Sequence, residues 1–368
     1  MQTALYIHLP FCKQKCLYCD FASFAGQTRR IDGYLAALEK EAVLTPRTAV
    51  QTLYVGGGTP SLLTCAQLEK LTQLITARYG EIARLEESTF EANPESFTRD
   101  KADLLHAAGF ERLSLGLQSF NDAELKRIGR VHNAADFLRA YEQARAAGFE
   151  NINVDLIAGL PQQTLGDFLQ SLSRLIALGP EHISVYGLQI EEGTPFFERG
   201  VVCDQILMRR MLEETHARLT RAGFTHYEIS NYARAGKESR HNTHYWHNGD
   251  YIGLGSAAAS YLGGVRRQNT PDVEAYMARI NAGQSVVSFE EKLTGQARAG
   301  ETLMLGLRLL GGVPLTPEQQ HFFGREIEKH IRGGLLTRDG KKVKLTQEGL
   351  YLANEVFCSF VAPFDNEI

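Results

Sequence analysis

The sequence predicts an α/β protein: an incomplete (β/α)6 barrel followed by a small C-terminal helical domain of winged-helix type. Short apolar or β-branched runs alternate with longer helical patterns, which is typical of parallel βαβ units. Ala-Gly-Phe closes an Ala-rich helical pattern at 108–110, 147–149 and 222–224. Glycine there can adopt the left-handed backbone conformation that ends many α-helices, so each repeat marks a turn into the next strand. The 368 residues indicate one large domain with a smaller one attached.

Six strands and five helices follow from these patterns. The predicted strands are Leu5–Leu9, Thr52–Val55, Ser88–Glu91, Arg112–Leu117, Asn151–Ile157 and His182–Leu188. The predicted helices are Ile31–Leu44, Cys65–Tyr79, Asp100–Ala108, Ala134–Ala147 and Leu165–Leu178. A further helix is expected from about Cys203 to Ala222. Ligands of such barrels collect at the C-terminal ends of the strands.

We expect three parts along the chain: the partial barrel at 1–235, a connecting segment at 236–290 and the C-terminal domain at 291–368. The last part combines two helical patterns with a basic turn and a final helix. Modules of this type often bind DNA, but the net charge of -4 and the lack of a basic helix argue against nucleic acid. We expect this domain to cover the substrate face of the barrel.

Composition places the chain among ordinary globular proteins, with 43% hydrophobic and 22% charged residues. We find no run of about 18 apolar residues and no signal segment at the start, so we expect a cytoplasmic protein that is not an integral membrane protein. Six cysteines are present, and Cys65, Cys203 and Cys358 are too scattered to indicate a disulfide framework.

The other three cysteines, Cys12, Cys16 and Cys19, lie within eight residues directly after the first predicted strand. Thiolates select zinc, copper(I) or iron in an iron–sulfur cluster. A structural zinc site usually needs a fourth Cys or His nearby, and a fully ligated cluster uses four cysteines. A cluster held by these three thiols therefore either has a distant fourth ligand or keeps one iron open to a small molecule.

Further candidate residues stand at the ends of the predicted strands. Gly56-Gly57-Gly58-Thr59-Pro60 follows strand two, where glycines let the backbone approach a ligand or simply make a tight turn. Glu91, Gln118 and Asp155 stand at the ends of strands three to five, and Arg130 lies in the connection between four and five. Each alone is most often a cap or a loop hydrogen bond, but the fold brings them to one edge.

The Cys-x3-Cys-x2-Cys spacing, the glycine loop and the strand-end residues together resemble the radical S-adenosylmethionine (radical SAM) superfamily. The match is to the subgroup related to oxygen-independent coproporphyrinogen III oxidase. The resemblance implies a [4Fe–4S] cluster on Cys12, Cys16 and Cys19, with SAM on the open iron. It also implies contacts to SAM, or to a second SAM, from Tyr6, Tyr18, Gly57, Gly58, Thr59, Glu91, Gln118, Arg130 and Asp155.

A second cluster of chemically useful residues is His241-Asn-Thr-His-Tyr-Trp-His247, which we predict to be a loop. Neutral imidazole is a common haem ligand, and aromatic faces suit a flat porphyrin. Alternatively, Tyr245 and Trp246 pack under the barrel while the histidines bond to backbone. His-Asn-x-x-Tyr-Trp resembles the signature of one branch of the subgroup, the HemW haem chaperones. That resemblance implies that His241 contacts haem, with His244 and His247 as further candidates.

The resemblance favours a haem chaperone that carries haem as cargo. It would accept haem and deliver it to respiratory membrane proteins, with transient contact at the inner face of the membrane. Its partners would be these receiving proteins or a haem donor protein. The alternative is the oxidase itself, in which a further cysteine follows the triad as Cys-x-Cys and an extension precedes the first strand. Here the triad ends in Cys19-Asp20-Phe21, and only five residues precede Tyr6. Both departures favour a protein without oxidase activity.

Overall fold

The computed structural model describes residues 3–362 and contains one large sheet, a small C-terminal sheet and a two-stranded pair. In chain order the strands are β1 Thr3–Leu9, β2 Phe11–Cys12, β3 Phe24–Ala25, β4 Val50–Gly57, β5 Glu87–Ala92, β6 Arg112–Gln118, β7 Asn151–Ala158, β8 His182–Gly187, β9 Thr225–Glu228, β10 Asn231–Ala233, β11 Tyr251–Leu254, β12 Ala259–Leu262, β13 Val265–Asn269, β14 Val287–Lys292, β15 Val313–Pro314, β16 Leu336–Asp339 and β17 Lys342–Leu345.

The α-helices connect and cover these strands. In chain order they are α1 Ile31–Leu44, α2 Cys65–Tyr79, α3 Arg99–Ala107, α4 Asp122–Arg127, α5 Ala134–Ala147, α6 Leu165–Leu178, α7 Pro195–Glu198, α8 Gln205–Arg221, α9 Arg240–Trp246, α10 Val273–Asn281, α11 Gly295–Gly306, α12 Pro317–Arg332, α13 Gln347–Tyr351 and α14 Ala353–Cys358.

Six parallel strands, β1 and β4 to β8, form the central part of the large sheet. The order of the sheet is β14-β13-β12-β11-β1-β4-β5-β6-β7-β8-β10-β9. Helices lie between successive parallel strands, which confirms the predicted incomplete (β/α)6 barrel. At one edge β11 pairs in parallel with β1, and at the other β10 pairs antiparallel with β8. The sheet thus extends beyond the six strands and stays open.

Local signals explain why several helix bounds follow directly from sequence. Helices α1, α2, α5 and α6 begin and end at the predicted residues. Capping boxes start α2 and α5, since Thr64 pairs with Gln67 and Asn133 with Asp136. The glycines of the three Ala-Gly-Phe repeats have φ of 101°, 105° and 84°. They take the left-handed conformation expected at a helix end.

The segment 241–247 is helical, so its prediction as a loop is wrong. Ser239 caps α9 by accepting a hydrogen bond from the Asn242 N–H. The buried Glu87 carboxylate, at the start of β5, also accepts the N–H groups of Arg240 and His241, at 2.8 and 3.0 Å. Negative charge at a helix N-terminus stabilises the helix. This partner is distant in sequence, which is why the pattern at 241–247 did not reveal the helix.

The C-terminal elements have an apolar core of their own, which includes Leu303, Phe323, Ile327 and Phe360. Here α11, α12, the three-stranded sheet β15-β17-β16 and α13 make up the predicted module of winged-helix type. The module contacts the barrel through backbone, since the Leu310 N–H donates to the Tyr227 carbonyl at 3.0 Å. Within residues 3–362, no helix is both long and apolar enough to cross a membrane.

Candidate functional site

The three clustered thiols line one cavity at the C-terminal ends of the parallel strands. Cys12 ends β2, while Cys16 and Cys19 lie in the loop that follows. The Thr59 hydroxyl donates to Cys12 Sγ at 3.6 Å, and Arg130 Nη1 donates to Cys16 Sγ at 3.6 Å. The thiolate is the form of cysteine that binds metal. The chemistry of its three thiol donors therefore suits this cavity to a metal centre.

Close packing of the glycine loop against the cysteine loop shapes this cavity. The Gly58 N–H donates to the Leu9 carbonyl at 2.9 Å. A Cβ at Gly58 would lie 2.7 Å from the Phe11 carbonyl oxygen and 3.0 Å from Cys12 Sγ. Gly57 has φ of 117°, and a Cβ there would lie 2.7 Å from the His8 ring. Only glycines allow this approach, so the loop is built to lie beside the thiols.

The donor set fits a [4Fe–4S] cluster that keeps one iron free of protein ligand, because each of three thiolates can take a different iron. Over residues 3–362, no three His, Cys, Asp or Glu side chains converge tightly enough to hold one metal ion. The cluster assignment rests on the three soft ligands and on the cavity that they share with the strand-end residues.

Most of the sequence-predicted SAM contacts line the same cavity. They are Tyr18, Gly57, Gly58, Thr59, Glu91, Gln118, Arg130 and Asp155. Gln118 is nearly buried and has φ of 70°, a conformation that costs free energy for a residue other than glycine. Backbone strain of this kind clusters at ligand sites. The fold thus gathers residues from four strands, β4 to β7, at one edge.

Arg130 is held by a network that the sequence did not reveal. Its Nη2 donates to the Asn93 amide oxygen at 3.0 Å and to the Gly116 carbonyl at 2.7 Å, while Asn93 Nδ2 donates to Thr59 Oγ1 at 3.0 Å. The buried Arg130 Nε has no partner within the described part of the chain. An oriented, unpaired guanidinium N–H suits the carboxylate of an amino-acid ligand. Asn93, in Glu91-Ala-Asn-Pro94, was missed as a positioning residue.

Two carboxyl groups face the cavity from β5 and β7, the strands on either side of β6. Glu91 accepts from the Tyr54 hydroxyl at 2.5 Å and from the Gly57 N–H at 3.1 Å, and Asp155 accepts from Asn153 Nδ2 at 2.8 Å. Burial raises the pKa of Glu91 to about 7, with the Tyr54 hydrogen bond opposing the shift and the charge of Asp155 adding to it. Burial also raises the pKa of Asp155. Both groups can accept hydrogen bonds from ligand hydroxyls.

A second cavity of about 300 Å3 lies next to the first. Aromatic and polar side chains from the barrel, from α9 and from the C-terminal domain line it: Tyr6, Tyr54, Tyr186, Glu228, Ser230, Asn231, His241, Asn242, Tyr245, Trp246 and Arg308. Tyr54 belongs to this cavity and its partner Glu91 to the first, so their hydrogen bond forms part of the wall between the two. Tyr6, a predicted SAM contact, lines the second cavity instead of the first.

His241 lies in the wall of the second cavity and uses both ring nitrogens. Nδ1 is 2.9 Å from Thr52 Oγ1, and Nε2 is 2.8 Å from the Tyr245 hydroxyl. Burial lowers its pKa to about 3, so the ring is neutral at physiological pH. A metal would have to replace one of these hydrogen bonds. His244 Nε2 is 2.7 Å from the Asp250 carbonyl oxygen, as the alternative of backbone bonding predicts, and His247 is exposed.

Family models match both parts of the chain. The model of the radical SAM superfamily matches residues 6–175, and that of the HemN C-terminal domain matches residues 293–352. Among solved structures, coproporphyrinogen III oxidase (HemN) from Escherichia coli is similar with a TM-score of 0.86 and 26% identity. The match covers 98% of this chain and 90% of that chain.

Curated relatives match along nearly the whole length. A protein of Bacillus subtilis named heme chaperone HemW is 37% identical over 97% of this chain and 98% of its own length. The Lactococcus lactis protein of that name is 35% identical over 97% and 96%. The Escherichia coli protein of that name is 40% identical over 69% of both chains. The chain therefore belongs to the HemW family within the radical SAM superfamily.

Proposed function

We propose that the protein is a haem chaperone that binds haem in the second cavity, beside a SAM and [4Fe–4S] site, and passes it to respiratory membrane proteins. The observation that carries the proposal is the aromatic cavity between α9 and the C-terminal domain, separated from the cysteine cavity by the Tyr54–Glu91 pair. The names of the curated relatives support haem as the cargo.

Radical SAM proteins carry a [4Fe–4S] cluster and SAM. Here Cys12, Cys16 and Cys19 would hold the cluster, which supplies an electron for reductive SAM chemistry when it is reduced. The unpaired Nε–H of Arg130 would bind the methionyl carboxylate, and Glu91 and Asp155 would accept from ribose hydroxyls.

The glycine loop and the remaining predicted contacts complete the proposed SAM site. Gly57, Gly58 and Thr59 would place backbone beside the amino end of SAM, and Tyr18 and Gln118 line the same cavity. Tyr6 would reach this ligand only from the second cavity, so we propose it as a residue between SAM and haem.

The second cavity is at the lower end of the roughly 300–1,000 Å3 typical of ligand pockets, so it would hold an edge of the porphyrin. The neutral ring of His241 can bind iron once Nε2 exchanges the Tyr245 hydroxyl for the metal. Tyr245 and Trp246 offer aromatic surface on the same helix. These features support α9 as the haem-binding element.

Oxygen-independent coproporphyrinogen III oxidase is the second candidate function, favoured by the likeness to the Escherichia coli enzyme. One residue argues against it. Phe21, not cysteine, follows Cys19-Asp20, and it stands 63% exposed in the wall of the cysteine cavity.

The two functions are separated by anaerobic incubation of the reconstituted protein with SAM, a reductant and coproporphyrinogen III, beside a haem titration. We expect stoichiometric haem binding and no decarboxylated porphyrin. Product formed at a catalytic rate would make the protein an oxidase and overturn the proposal.

We also propose where the chaperone meets its partners. None of the six cysteines forms a disulfide in the structure, which is typical of proteins in a reducing compartment and supports a cytoplasmic protein. Clients in the membrane would be met by transient contact at its inner face, and a haem donor protein would load the second cavity.

A further inference from the structure

Unpaired polar atoms are concentrated in the second cavity. Asn231 Oδ1, Glu228 Oε2, Trp246 Nε1 and Arg308 Nε are all buried, and none has a hydrogen-bond partner within residues 3–362. Buried polar groups in folded proteins are nearly always paired, so each exception needs an explanation. Glu228 Oε2 faces Arg308 Nη2 at 3.8 Å, so the two donors, Trp246 Nε1 and Arg308 Nε, are the groups that indicate a missing polar ligand.

Two of these atoms are donors on neighbouring side chains. The Arg308 guanidinium carbon lies 4.2 Å from the centre of the Trp246 ring, which holds the guanidinium against the indole. Trp246 Nε1 and Arg308 Nε thus offer two N–H groups at the same end of the cavity. A carboxylate, which accepts through two oxygens, is the natural partner of such a pair.

The charges in the cavity leave room for an anion. Glu228 is the acidic residue beside Arg308, and its Oε2 lies 3.8 Å from Nη2, too far for a hydrogen bond. Burial raises the pKa of Glu228 and lowers the pKa of Arg308. The other titratable groups that line the cavity are neutral tyrosines and the neutral His241. The guanidinium is therefore a desolvated cation with an incomplete partner.

We propose that Arg308 and the Trp246 indole N–H form a subsite for a propionate carboxylate of the haem. This inference rests on the proposed haem function and names which part of the cargo the cavity recognises. Arg308 follows α11 in the C-terminal domain, whereas Trp246 ends α9 beside the barrel. The propionate would join the two parts, so the C-terminal domain takes part in holding the cargo.

The test removes one side chain from the protein and one type of group from the ligand, and compares the haem affinities. Haem and its dimethyl ester, in which both carboxylates are blocked, are titrated into wild type and Arg308→Gln, with the reconstituted cluster present. We expect Arg308→Gln to weaken haem binding by about 10- to 100-fold, the effect of one charge-assisted hydrogen bond. The ester should bind wild type and variant equally. The two proteins and two ligands form a double-mutant cycle, which separates the energy of the contact from any general effect of the substitution on the cavity.

Two further variants and one control variant make this test more specific. Trp246→Phe keeps the ring and removes the N–H, so it should weaken haem binding by a smaller factor and leave the ester unaffected. Arg308→Lys keeps the charge and should recover part of the loss. Arg298→Gln, on the exposed side of α11, is the matched control and should bind haem as wild type does.

The outcomes separate the two proposals. If wild type binds haem and its ester equally tightly, or if Arg308→Gln weakens both by the same factor, the propionate subsite is wrong and the haem chaperone stands. If wild type binds neither ligand, the proposed function fails first, and the subsite fails with it.

Discussion

At the scale of single residues, the cysteine cavity is organised by contacts that reach between strands. Arg130 contacts Cys16, Asn93 and the Gly116 carbonyl, and the absence of a Cβ at Gly116 leaves space for the guanidinium, which would lie 2.6 Å from that atom. Asn93 connects this group to Thr59, which donates to Cys12. Two of the three cysteines are thus tied to the residues proposed to hold SAM.

Replacing Cys16 tests the cluster ligands. We predict that Cys16→Ala removes the cluster absorbance of the reconstituted protein and lowers bound iron and sulfide, because a thiolate ligand is lost. The unfolding midpoint should change little, since Cys16 is only partly buried. Cys358→Ala, an exposed thiol far along the chain, is the control. Unchanged iron and sulfide in Cys16→Ala would refute the cluster assignment.

The pKa of Glu91 gives a pH prediction for the protein before SAM is added. The carboxyl holds its proton up to about pH 7 when folded, above its ordinary value of 4.5. As pH rises from about 4.5 to 7 the unfolded chain loses this proton first, so Glu91 destabilises the fold increasingly with pH. Glu91→Gln should therefore raise the free energy of unfolding by about 3 kcal/mol near pH 8 and by nothing near pH 4.

Urea unfolding of wild type and Glu91→Gln at both pH values measures this difference. The same variant should bind SAM more weakly, because an amide replaces a carboxylate acceptor. A stability difference that does not depend on pH would contradict the raised pKa of Glu91.

His241 and Tyr245 make a pair that tests iron ligation. We predict that His241→Ala weakens haem binding and leaves the cluster intact. Tyr245→Phe removes the hydroxyl that occupies His241 Nε2, so it should keep or strengthen haem binding. Absorption titration with haem measures both. If Tyr245→Phe lowers affinity as much as His241→Ala does, the phenol, not the imidazole, is the group that haem needs.

At the scale of elements, α9 carries the largest error of the sequence interpretation. The local pattern of histidines and aromatics gave no helix, because two of the N–H groups at its N-terminus donate to Glu87 on a distant strand, beside the local cap Ser239. Helices such as α2 and α5 were predictable because their capping boxes lie in their own sequence. Tyr54 and Arg308 were missed for the same reason as Glu87, since only tertiary contacts bring them to the cavities.

We therefore predict that Glu87 positions α9, the helix that carries His241. Glu87→Ala removes a buried carboxylate that accepts from Ser239, Arg240 and His241, so it should cost about 2–4 kcal/mol of stability. Haem affinity should fall with it. Glu86→Ala is the matched control, because the neighbouring Glu86 makes only an exposed ion pair with Arg240, worth at most about 1 kcal/mol.

Urea unfolding and haem titration of the two glutamate variants check this prediction together. Equal stability losses in Glu87→Ala and Glu86→Ala would show that α9 does not depend on the buried carboxylate.

At the scale of the whole molecule, the fold brings the candidate residues at the ends of the parallel strands into one cavity. The sequence alone did not show that they are close together. The alternation of strands and helices is a local pattern, and it was enough to predict the six parallel strands. The extension by β11 to β14 was not predicted, because these short strands carry no clear alternation and are defined by pairing with β1 and with one another. The boundaries at 235 and 290 remain our proposal for the division of the chain.

Buried hydrogen bonds also connect the two cavities across the barrel. Asn153 Nδ2 donates to Asp155 at 2.8 Å, and the side-chain oxygen Asn153 Oδ1 is 2.6 Å from His182 Nδ1. His182 Nε2 is 2.8 Å from the Tyr227 hydroxyl, which accepts the N–H of Ser239, the N-cap of α9. The strand that carries Asp155 is thereby linked to the start of the helix that carries His241.

The central claim is that this protein carries haem and gives it up, and one measurement tests it most directly. Reconstituted protein loaded with haem is mixed with respiratory membranes depleted of haem, and the recovery of their respiratory oxidase activity is measured. A parallel sample receives an equal amount of free haem. The account predicts faster and fuller restoration from the loaded protein. Haem that stays bound, or restoration no better than with free haem, would contradict it.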